Sequence, residues 1–282
     1  SRRKSARPGP ERASSEGQHL AKKPVWVIEK EQARRRAATA TLWLFGLHAV
    51  RDALQNPMRD RLRLVLSKNA ADRIGAEAIA VGGLEPELAD PRKFPVPLDP
   101  GSVHQGAALE VRPLDWGSLK DLARPGSGQA PRLVLLDRVS DPHNVGAILR
   151  SSEVFGARAV VAPQRHAAPE TGALAKAASG ALERQPYLRV GNLAEAMGQL
   201  RNLGYQLIGL DGEGTGDLGD LAQTHKDDPV ALVMGAEGPG LRARTRELCD
   251  TLARIPASGD FGSLNVANAA AISLYAFRGE RT

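Results

Sequence analysis

The stretch LDRVSDPHNVGAILRSSEVFGA, residues 136–157, sets the fold of this chain of 282 residues. Two later stretches repeat its pattern, namely LVMGAEGPGL (232–241) and IPASGDFGSLNVANAAAISLY (255–275). Each is an apolar run, then a turn rich in Gly, Asn, Ser or Pro, then a helix of small residues. This pattern is typical of an α/β protein whose ligand crevice lies at the carboxyl ends of its strands. No carboxylate pair, Cys/His cluster or Ser-His-Asp set accompanies it, so the predicted site consists mainly of backbone groups, amides and one arginine.

Strand-like and helix-like segments alternate from residue 132 onward. Apolar runs predict the strands, and stretches with helical spacing or many small residues predict the helices between them. The predicted strands are 132–137, 158–163, 187–190, 205–212, 229–235 and 253–257, and the predicted helices are 144–156, 170–183, 193–204 and 266–278. Such alternation favours a mostly parallel sheet covered by helices on both faces. Ordinary connection rules predict an unknotted, doubly wound arrangement.

A smaller α+β domain is predicted ahead of this sheet, over residues 41–112. Helical apolar spacing covers 41–54, alternation predicts a strand over 61–67, and a short helix over 70–83 and an extended segment over 107–114 follow. Residues 113–131 are predicted to be a linker, because Pro125-Gly126-Ser127-Gly128 cannot sustain a helix or a strand. The second domain is therefore predicted to span 132–282 and to fold without the first.

Positive charge is concentrated in the first 40 residues. Residues 1–40 contain 11 Lys and Arg against 4 Glu, whereas the other 242 contain 27 basic against 28 acidic residues. A polybasic arm that also contains Ser, Pro and Gly is predicted to be disordered and to attract phosphates without reading sequence. The alternative that it is a solubilising tail or an expression remnant stays open.

Composition excludes several functional classes. No run of 18 apolar residues and no signal-peptide pattern occurs, so neither membrane insertion nor secretion is predicted. Cys249 is the single cysteine, which excludes an internal disulfide and favours the cytoplasm; it is predicted to be a buried residue within the helix-like RTRELCDTL. The six histidines are scattered without paired spacing, so no metal site is predicted.

The three stretches resemble the signature motifs of the SpoU, or TrmH-type, RNA 2′-O-ribose methyltransferases of the SPOUT superfamily. Asn144 and Arg150 match the N-x5-R pair of the first motif. The other two motifs are matched by Gly235, Glu237 and Gly238, and by Ile255-Pro256 with Ser263-Leu264-Asn265-Val266. The resemblance extends over residues 41–282, with Ala257 where the family usually has Met.

The resemblance implies a fold and a function. The fold is a SPOUT α/β-knot with a deep C-terminal trefoil, preceded by an L30e-like RNA-binding domain over 41–112 and paired into a homodimer. The implied activity is S-adenosyl-L-methionine-dependent 2′-O-methylation of a guanosine in 23S ribosomal RNA, since such a first domain is typical of the members acting on ribosomal RNA. Two alternatives stay open: methylation of a tRNA guanosine, and a ribosome factor that binds RNA without turnover.

The resemblance also implies the site residues. The catalytic residues would be Asn144, Arg150, Glu237, Ser263 and Asn265, and the cofactor would be held by Leu210, Gly235, Gly238, Ile255, Pro256 and Leu264. Because a free guanidinium is essentially always protonated, two hypotheses for Arg150 stay open: it orients an RNA phosphate that helps accept the proton, or it is itself the base with a depressed pKa. His143 is an alternative base. Ser263 and Asn265 are also in the position of a helix N-cap.

Overall fold

The structure is a computed structural model that describes residues 40–99, 101–126, 130–259 and 264–278. All of the described residues belong to one compact unit. The predicted basic arm, apart from Ala40, lies outside the described residues, and so does Ser263.

A four-stranded sheet comes first in the chain. Its strands lie in the order β1-β4-β2-β3; β4 is antiparallel to β1 and β2, and β3 is parallel to β2. The elements are β1 Leu42–Phe45, α1 Leu47–Gln55, β2 Arg61–Leu66, α2 Lys68–Ile74, α3 Ala76–Gly82, β3 Glu87–Leu88, a 3-10 turn Pro91–Lys93, and β4 Ala107–Val111. This part of the chain is the mixed α and β structure that the sequence predicts; its identity as an L30e-like domain stays a prediction.

Two helix predictions in this part were wrong in detail. The helix predicted over 41–54 begins only at Leu47, because Leu42–Phe45 pair with β4 and Gly46 turns the chain at φ 92°. The helix predicted over 70–83 is two helices, separated at Gly75, whose φ of 91° interrupts helical geometry. Pairing with a distant strand and glycine turns decided both boundaries.

Seven parallel strands form the second sheet, which confirms the mostly parallel sheet predicted from the sequence. Their order is β7-β6-β5-β10-β8-β11-β9, and every pair is parallel. They are β5 Arg132–Asp137, β6 Ala159–Pro163, β7 Tyr187–Val190, β8 Gln206–Leu210, β9 Gly216–Asp217, β10 Val230–Gly235 and β11 Thr251–Arg254. The carboxyl ends of all seven strands therefore lie at one edge of the sheet.

Helices cover both faces of this sheet. They are α4 Leu119–Leu122, α5 Pro142–Val154, α6 Gly172–Ala178, a 3-10 turn Ala181–Glu183, α7 Leu193–Asn202, α8 Leu218–Thr224, α9 Ala243–Leu248 and α10 Val266–Ala276. Alternate residues of β5 enter two separate cores: Val134 and Leu136 pack with α5, α6 and α10, whereas Leu133 and Leu135 pack with α4 and α7. A strand buried on both faces explains the unbroken apolar run RLVLL.

Several boundaries differ from the sequence predictions. The helix predicted over 170–183 ends at Ala178, because Ser179 and Gly180 are left-handed. Cys249 follows α9 instead of lying within it, and the last strand lies at Thr251–Arg254, earlier than predicted. Residues 213–228, for which no element was predicted, contain β9 and α8.

The predicted linker over 113–131 contains the helix α4, which packs into the second core. Leu119 and Ala123 are buried there, and the Tyr205 hydroxyl donates a hydrogen bond to the carbonyl oxygen of Ala123 at 2.8 Å. Part of this segment therefore packs on the sheet. The trefoil knot that the resemblance implies stays a prediction.

Among the described helices, none has the length and apolar character needed to cross a membrane.

A buried arginine joins the first sheet region to the second. The Arg59 guanidinium lies 2.7 Å from a Glu183 carboxylate oxygen and 3.1 Å from one of Glu170, and it donates to the carbonyl oxygen of Arg112 at 2.7 Å. The Arg59 side chain is 0% exposed and that of Glu183 is 3% exposed. Burial alone would lower the pKa of Arg59, but the hydrogen bonds and charges of the two glutamates outweigh burial and raise it. The guanidinium is therefore charged and fully paired inside the protein.

Candidate active site

A cleft of about 430 Å³ opens at the carboxyl ends of β8, β10 and β11. Its lining includes five of the six residues predicted to hold a cofactor, namely Leu210, Gly235, Gly238, Ile255 and Leu264. Pro256 is exposed and is not among the lining residues. The structure therefore places side chains and backbone from three separate loops around one space.

The turn after β10 closes tightly on itself. Gly240 donates its N–H to the carbonyl oxygen of Ala236 at 2.9 Å, and Gly238 and Gly240 have positive φ values of 81° and 68°. A Cβ atom on Gly235 would lie 2.2 Å from the carbonyl carbon of Gly240. Only glycine fits at position 235, so the sequence of this turn brings bare backbone to the wall of the cleft.

A buried carboxylate holds this turn from behind, and sequence reasoning missed it. Asp137, at the end of β5, is 0% exposed and accepts hydrogen bonds from the Arg242 backbone N–H at 3.0 Å and from its Nε at 2.6 Å. Because a buried carboxylate needs such partners, Asp137 fixes where the chain leaves the turn. Its position at the end of an apolar strand was the available signal.

A second ion pair borders the cleft. The Arg246 guanidinium lies 2.6 Å from a carboxylate oxygen of Asp211, and both residues line the cleft. Asp211 follows β8 directly, and its carboxylate is a hydrogen-bond acceptor suited to hydroxyl groups of a sugar. Sequence reasoning stopped at Leu210 and missed the pair, because Asp211 and Arg246 are 35 positions apart in the printed sequence.

The side-chain amide of Asn265 joins the three motifs. Its Oδ1 accepts hydrogen bonds from the backbone N–H groups of Ala267 and Asn268, which confirms the predicted N-cap of α10. Its Nδ2 donates to Asn144 Oδ1 at 2.9 Å and to Glu237 Oε1 at 2.5 Å. Since both ends of the amide are engaged, the side chain has one orientation, and it links the first motif to the second.

Arg150 extends from the same helix as Asn144. The two residues are six positions apart, about 9 Å along a helix axis. Arg150 is exposed, and it makes no hydrogen bond or ion pair with any residue that the structure describes. His143 is also exposed, and its backbone N–H is bound by the helix-capping carboxylate of Asp141. An exposed guanidinium of this kind is free to contact an anionic substrate.

Cysteine and metal chemistry find little support. Burial raises the pKa of Cys249 to about 12, so its thiol is protonated at neutral pH, and the thiol donates to the carbonyl oxygen of Thr245 at 3.3 Å. Within the part of the chain that is described, no group of three His, Cys, Asp or Glu residues could hold a metal ion. The groups present around the cleft are therefore amides, carboxylates, guanidinium groups and backbone N–H and carbonyl groups.

Residues 131–275 match the SpoU rRNA Methylase family. The chain is 44% identical over 219 residues to a 23S rRNA (guanosine-2'-O-)-methyltransferase of Burkholderia sp, covering 77% of this chain and 81% of the relative. It is 38% identical over 239 residues to the enzyme of the same name from Vibrio cholerae, covering 82% and 94% of the two chains.

Solved structures agree with these relatives. An AdoMet-bound rRNA methyltransferase from Sinorhizobium meliloti superimposes with a TM-score of 0.68 and 27% identity, covering 88% of this chain and 90% of that one. The SpoU methyltransferase AviRb from Streptomyces viridochromogenes, in complex with AdoMet, gives a TM-score of 0.67 and 25% identity, covering 86% and 91%.

Proposed function

This chain belongs to the SpoU rRNA methylase family, and from that premise we propose that it methylates the ribose 2′-hydroxyl of a guanosine in 23S ribosomal RNA, using S-adenosyl-L-methionine. The 2′-oxygen forms a bond to the methyl carbon as the carbon–sulfur bond breaks, and S-adenosylhomocysteine and a proton are released. The observation that carries the proposal is the Asn265 amide, which joins Asn144 and Glu237 beside the cleft. The cofactor supplies an electrophilic methyl group on a sulfonium.

The cleft has features that suit an adenosine-containing cofactor. Apolar side chains of Leu210, Ile255 and Leu264 can cover a flat base, and the close turn at Gly235 and Gly238 offers backbone groups for hydrogen bonds. Pro256 would restrain the backbone next to Ile255, since proline fixes its own φ. We assign Asp211 to binding the ribose hydroxyls of the cofactor, because an ionised carboxylate readily accepts hydrogen bonds from hydroxyl groups.

Catalysis rests on placing the 2′-hydroxyl in line with the methyl group. We assign Asn144, Glu237 and Asn265 to this positioning, because their side chains already hold one another in place. Arg150 orients an RNA phosphate, which then helps accept the proton; this is physically simpler than a deprotonated guanidinium. Ser263, outside the described residues, is assigned to a ribose or RNA contact by its place in the motif.

The assigned substrate is tested with labelled methyl groups. The protein would be incubated with methyl-labelled S-adenosylmethionine and separate pools of ribosomal RNA and tRNA, and the label would be mapped by nuclease digestion. Label at one guanosine ribose of 23S rRNA is the expected result. Label in tRNA alone would transfer the assignment to the tRNA alternative, and no label in either pool would favour the RNA-binding factor.

Cofactor choice gives a direct prediction. Calorimetry is expected to show binding of S-adenosylhomocysteine and no binding of ATP, because the turn carries no Lys-Ser/Thr ending that would hold a polyphosphate. Gly235→Ala is expected to weaken S-adenosylhomocysteine binding at least about tenfold, since its methyl group would displace turn backbone. Gly198→Ala, whose Cβ meets nothing within 4 Å, is the control and should bind normally. Tight ATP binding without a response to S-adenosylhomocysteine would overturn the assignment.

We further propose that the protein is a homodimer in the cytoplasm. Ile272 and Tyr275 are exposed on α10, and Val154 is exposed at the end of α5, which packs against α10. Phe155 contacts Tyr275 edge to face, so these apolar groups are neighbours. A cluster of exposed apolar groups on two packed helices supports pairing there. A ribosomal RNA substrate and a single cysteine support the cytoplasmic location.

Sedimentation is expected to give about twice the 30.0 kDa chain mass. Tyr275→Asp should shift the protein toward monomer, because it buries a charge in the pairing surface. Val81→Asp places the same charge on an exposed valine of α3 and should leave the dimer intact. A fully active monomer would contradict the dimer and any site shared between subunits.

A further inference from the structure

Three exposed basic residues follow two neighbouring strands of the parallel sheet, beside the cleft. Arg138 comes directly after β5, and Arg165 and His166 come shortly after β6. None of the three side chains makes a hydrogen bond or an ion pair with any described residue. By contrast, Arg189, Arg242 and Arg246 on the adjoining elements are all bound to protein groups. We call Arg138, Arg165 and His166 the basic edge.

Strand register places the basic edge next to the cleft. Gly235, the first residue of the cofactor turn, pairs with Asp137, so Arg138 begins one strand away from that turn. Leu135 pairs with Val161, so β5 and β6 end at the same level of the sheet. Neighbouring strands lie about 4.8 Å apart. The basic edge therefore continues outward from the cleft over two strands.

The loop that carries Arg165 and His166 is held firmly from below. The Arg189 guanidinium donates hydrogen bonds to the carbonyl oxygens of Pro163, Gln164 and Ala168. The Tyr187 hydroxyl also donates to Ala168, at 2.8 Å. The backbone carbonyls of this loop are thus turned inward and satisfied, whereas its two basic side chains are left in solvent.

Backbone conformation adds a second sign of function. Arg138 has a φ of 64° and His166 a φ of 60°. Few residues other than glycine adopt this region, although asparagine, aspartate and histidine do so more often than most, so the conformation is most unusual at Arg138. A glycine would relieve this strain at either position. Retained strain of this kind is concentrated at functional sites, where the side chain has a use that offsets it.

We propose that the basic edge binds backbone phosphates of the RNA strand on one side of the methylated nucleotide. This inference rests on the proposed function, because an RNA whose ribose enters the cleft must leave it along the sheet edge. Neighbouring phosphates of one strand would face Arg138 first and Arg165 with His166 next. Phosphate contacts set the register of a nucleic acid and carry no sequence information directly, so the basic edge determines how the target ribose is presented.

The test uses Arg138→Gly and Arg165→Ala in the full chain. Arg138→Gly removes the charge and also relieves the backbone strain, so it should not fail to fold. Arg124→Gly is the matched control: Arg124 is exposed, and its carbonyl oxygen is bound by Arg158, which precedes β6 at the opposite edge of the sheet. Each variant would be compared for melting temperature, S-adenosylhomocysteine affinity, methylation kinetics and salt dependence of binding to the RNA that the wild type methylates.

The expected result is a KM for RNA raised about 5- to 20-fold in Arg138→Gly and Arg165→Ala, with a kcat within about twofold. Each should also reduce the slope of log binding constant against log salt by about 0.7 to 0.9. Melting temperature and S-adenosylhomocysteine affinity should be unchanged or higher, and Arg124→Gly should match the wild type. If the wild type is active but both variants keep its KM for RNA and its salt slope, the proposal for the basic edge is wrong and the proposed function is not affected. The same holds if the variants lose only kcat. A wild type without methyl transfer would instead refute the proposed function.

Discussion

Arg150→Ala is expected to lower methyl transfer at least about 100-fold, the loss typical when a group that orients or stabilises the reacting centre is removed. The affinity for S-adenosylhomocysteine should stay within about threefold, because Arg150 is not among the residues that line the cleft. Arg150 is exposed and makes no hydrogen bond or ion pair with a described residue, so its removal should leave the melting temperature unchanged. Single-turnover methylation of ribosomal RNA, with calorimetry alongside, provides both readouts.

Two further variants separate the hypotheses for this arginine. Arg150→Lys keeps a positive charge but loses the planar fork that binds phosphate through two hydrogen bonds, so it should recover only part of the rate. His143→Ala should keep nearly the full rate if the RNA phosphate accepts the proton. If Arg150→Ala keeps the wild-type rate of methyl transfer and His143→Ala loses it, His143 is the base and the role proposed for Arg150 is refuted.

Arg59→Met is expected to lower the free energy of unfolding by about 3 to 5 kcal/mol. The substitution leaves the Glu183 carboxylate, 3% exposed, without its counter-charge, and it leaves Glu170 without the guanidinium that it faces at 3.1 Å. Urea denaturation measures the loss. Arg63→Met is the matched control, because Arg63 makes a two-pronged pair with Glu87 at the surface, where such pairs contribute little.

The double variant Arg59→Met with Glu183→Met distinguishes an unpaired charge from lost packing. It should be more stable than Arg59→Met alone, because the more deeply buried of the two carboxylates, that of Glu183, is then absent and only Glu170 lacks its counter-charge. Equal instability of the single and double variants would contradict the ionic explanation. The same pair argues against independent folding of 132–282, since removal of residues 41–112 would leave Glu183 and Glu170 uncompensated.

The catalytic half was largely predictable from its sequence. Parallel strands buried on both faces must be apolar along their whole length, so RLVLLD and PVALVMG identify β5 and β10 directly. The glycine turn and the asparagine cap also depend on local chemistry, namely close backbone approach at Gly235 and bonds to orphan amides at Asn265. Features that depend only on neighbouring residues in the chain can therefore be predicted from a short stretch of sequence.

The remaining features depend on groups that are distant in the chain. Leu42–Phe45 has helical spacing, but it becomes a strand because β4, more than 60 residues later, pairs with it. Arg59 gave no signal as a charged residue of the interior, and the place of Asp137 after an apolar strand did not reveal its partner. Their partners Glu183 and Arg242 are 124 and 105 positions away. Pairing across such separations is decided by tertiary packing, which composition and periodicity do not record.

The position of Asn265 has a consequence for the timing of activity. A ribosome makes the chain from its amino end, and domains fold as they emerge. Asn265 follows Asn144 by 121 residues and Glu237 by 28, so the amide that joins the three motifs is made after both of its partners and after every described strand of the parallel sheet. A nascent chain can form most of the parallel sheet and still have no assembled site. An unfinished copy of this protein is therefore unable to methylate RNA, including the ribosomal RNA of the particle that is synthesising it.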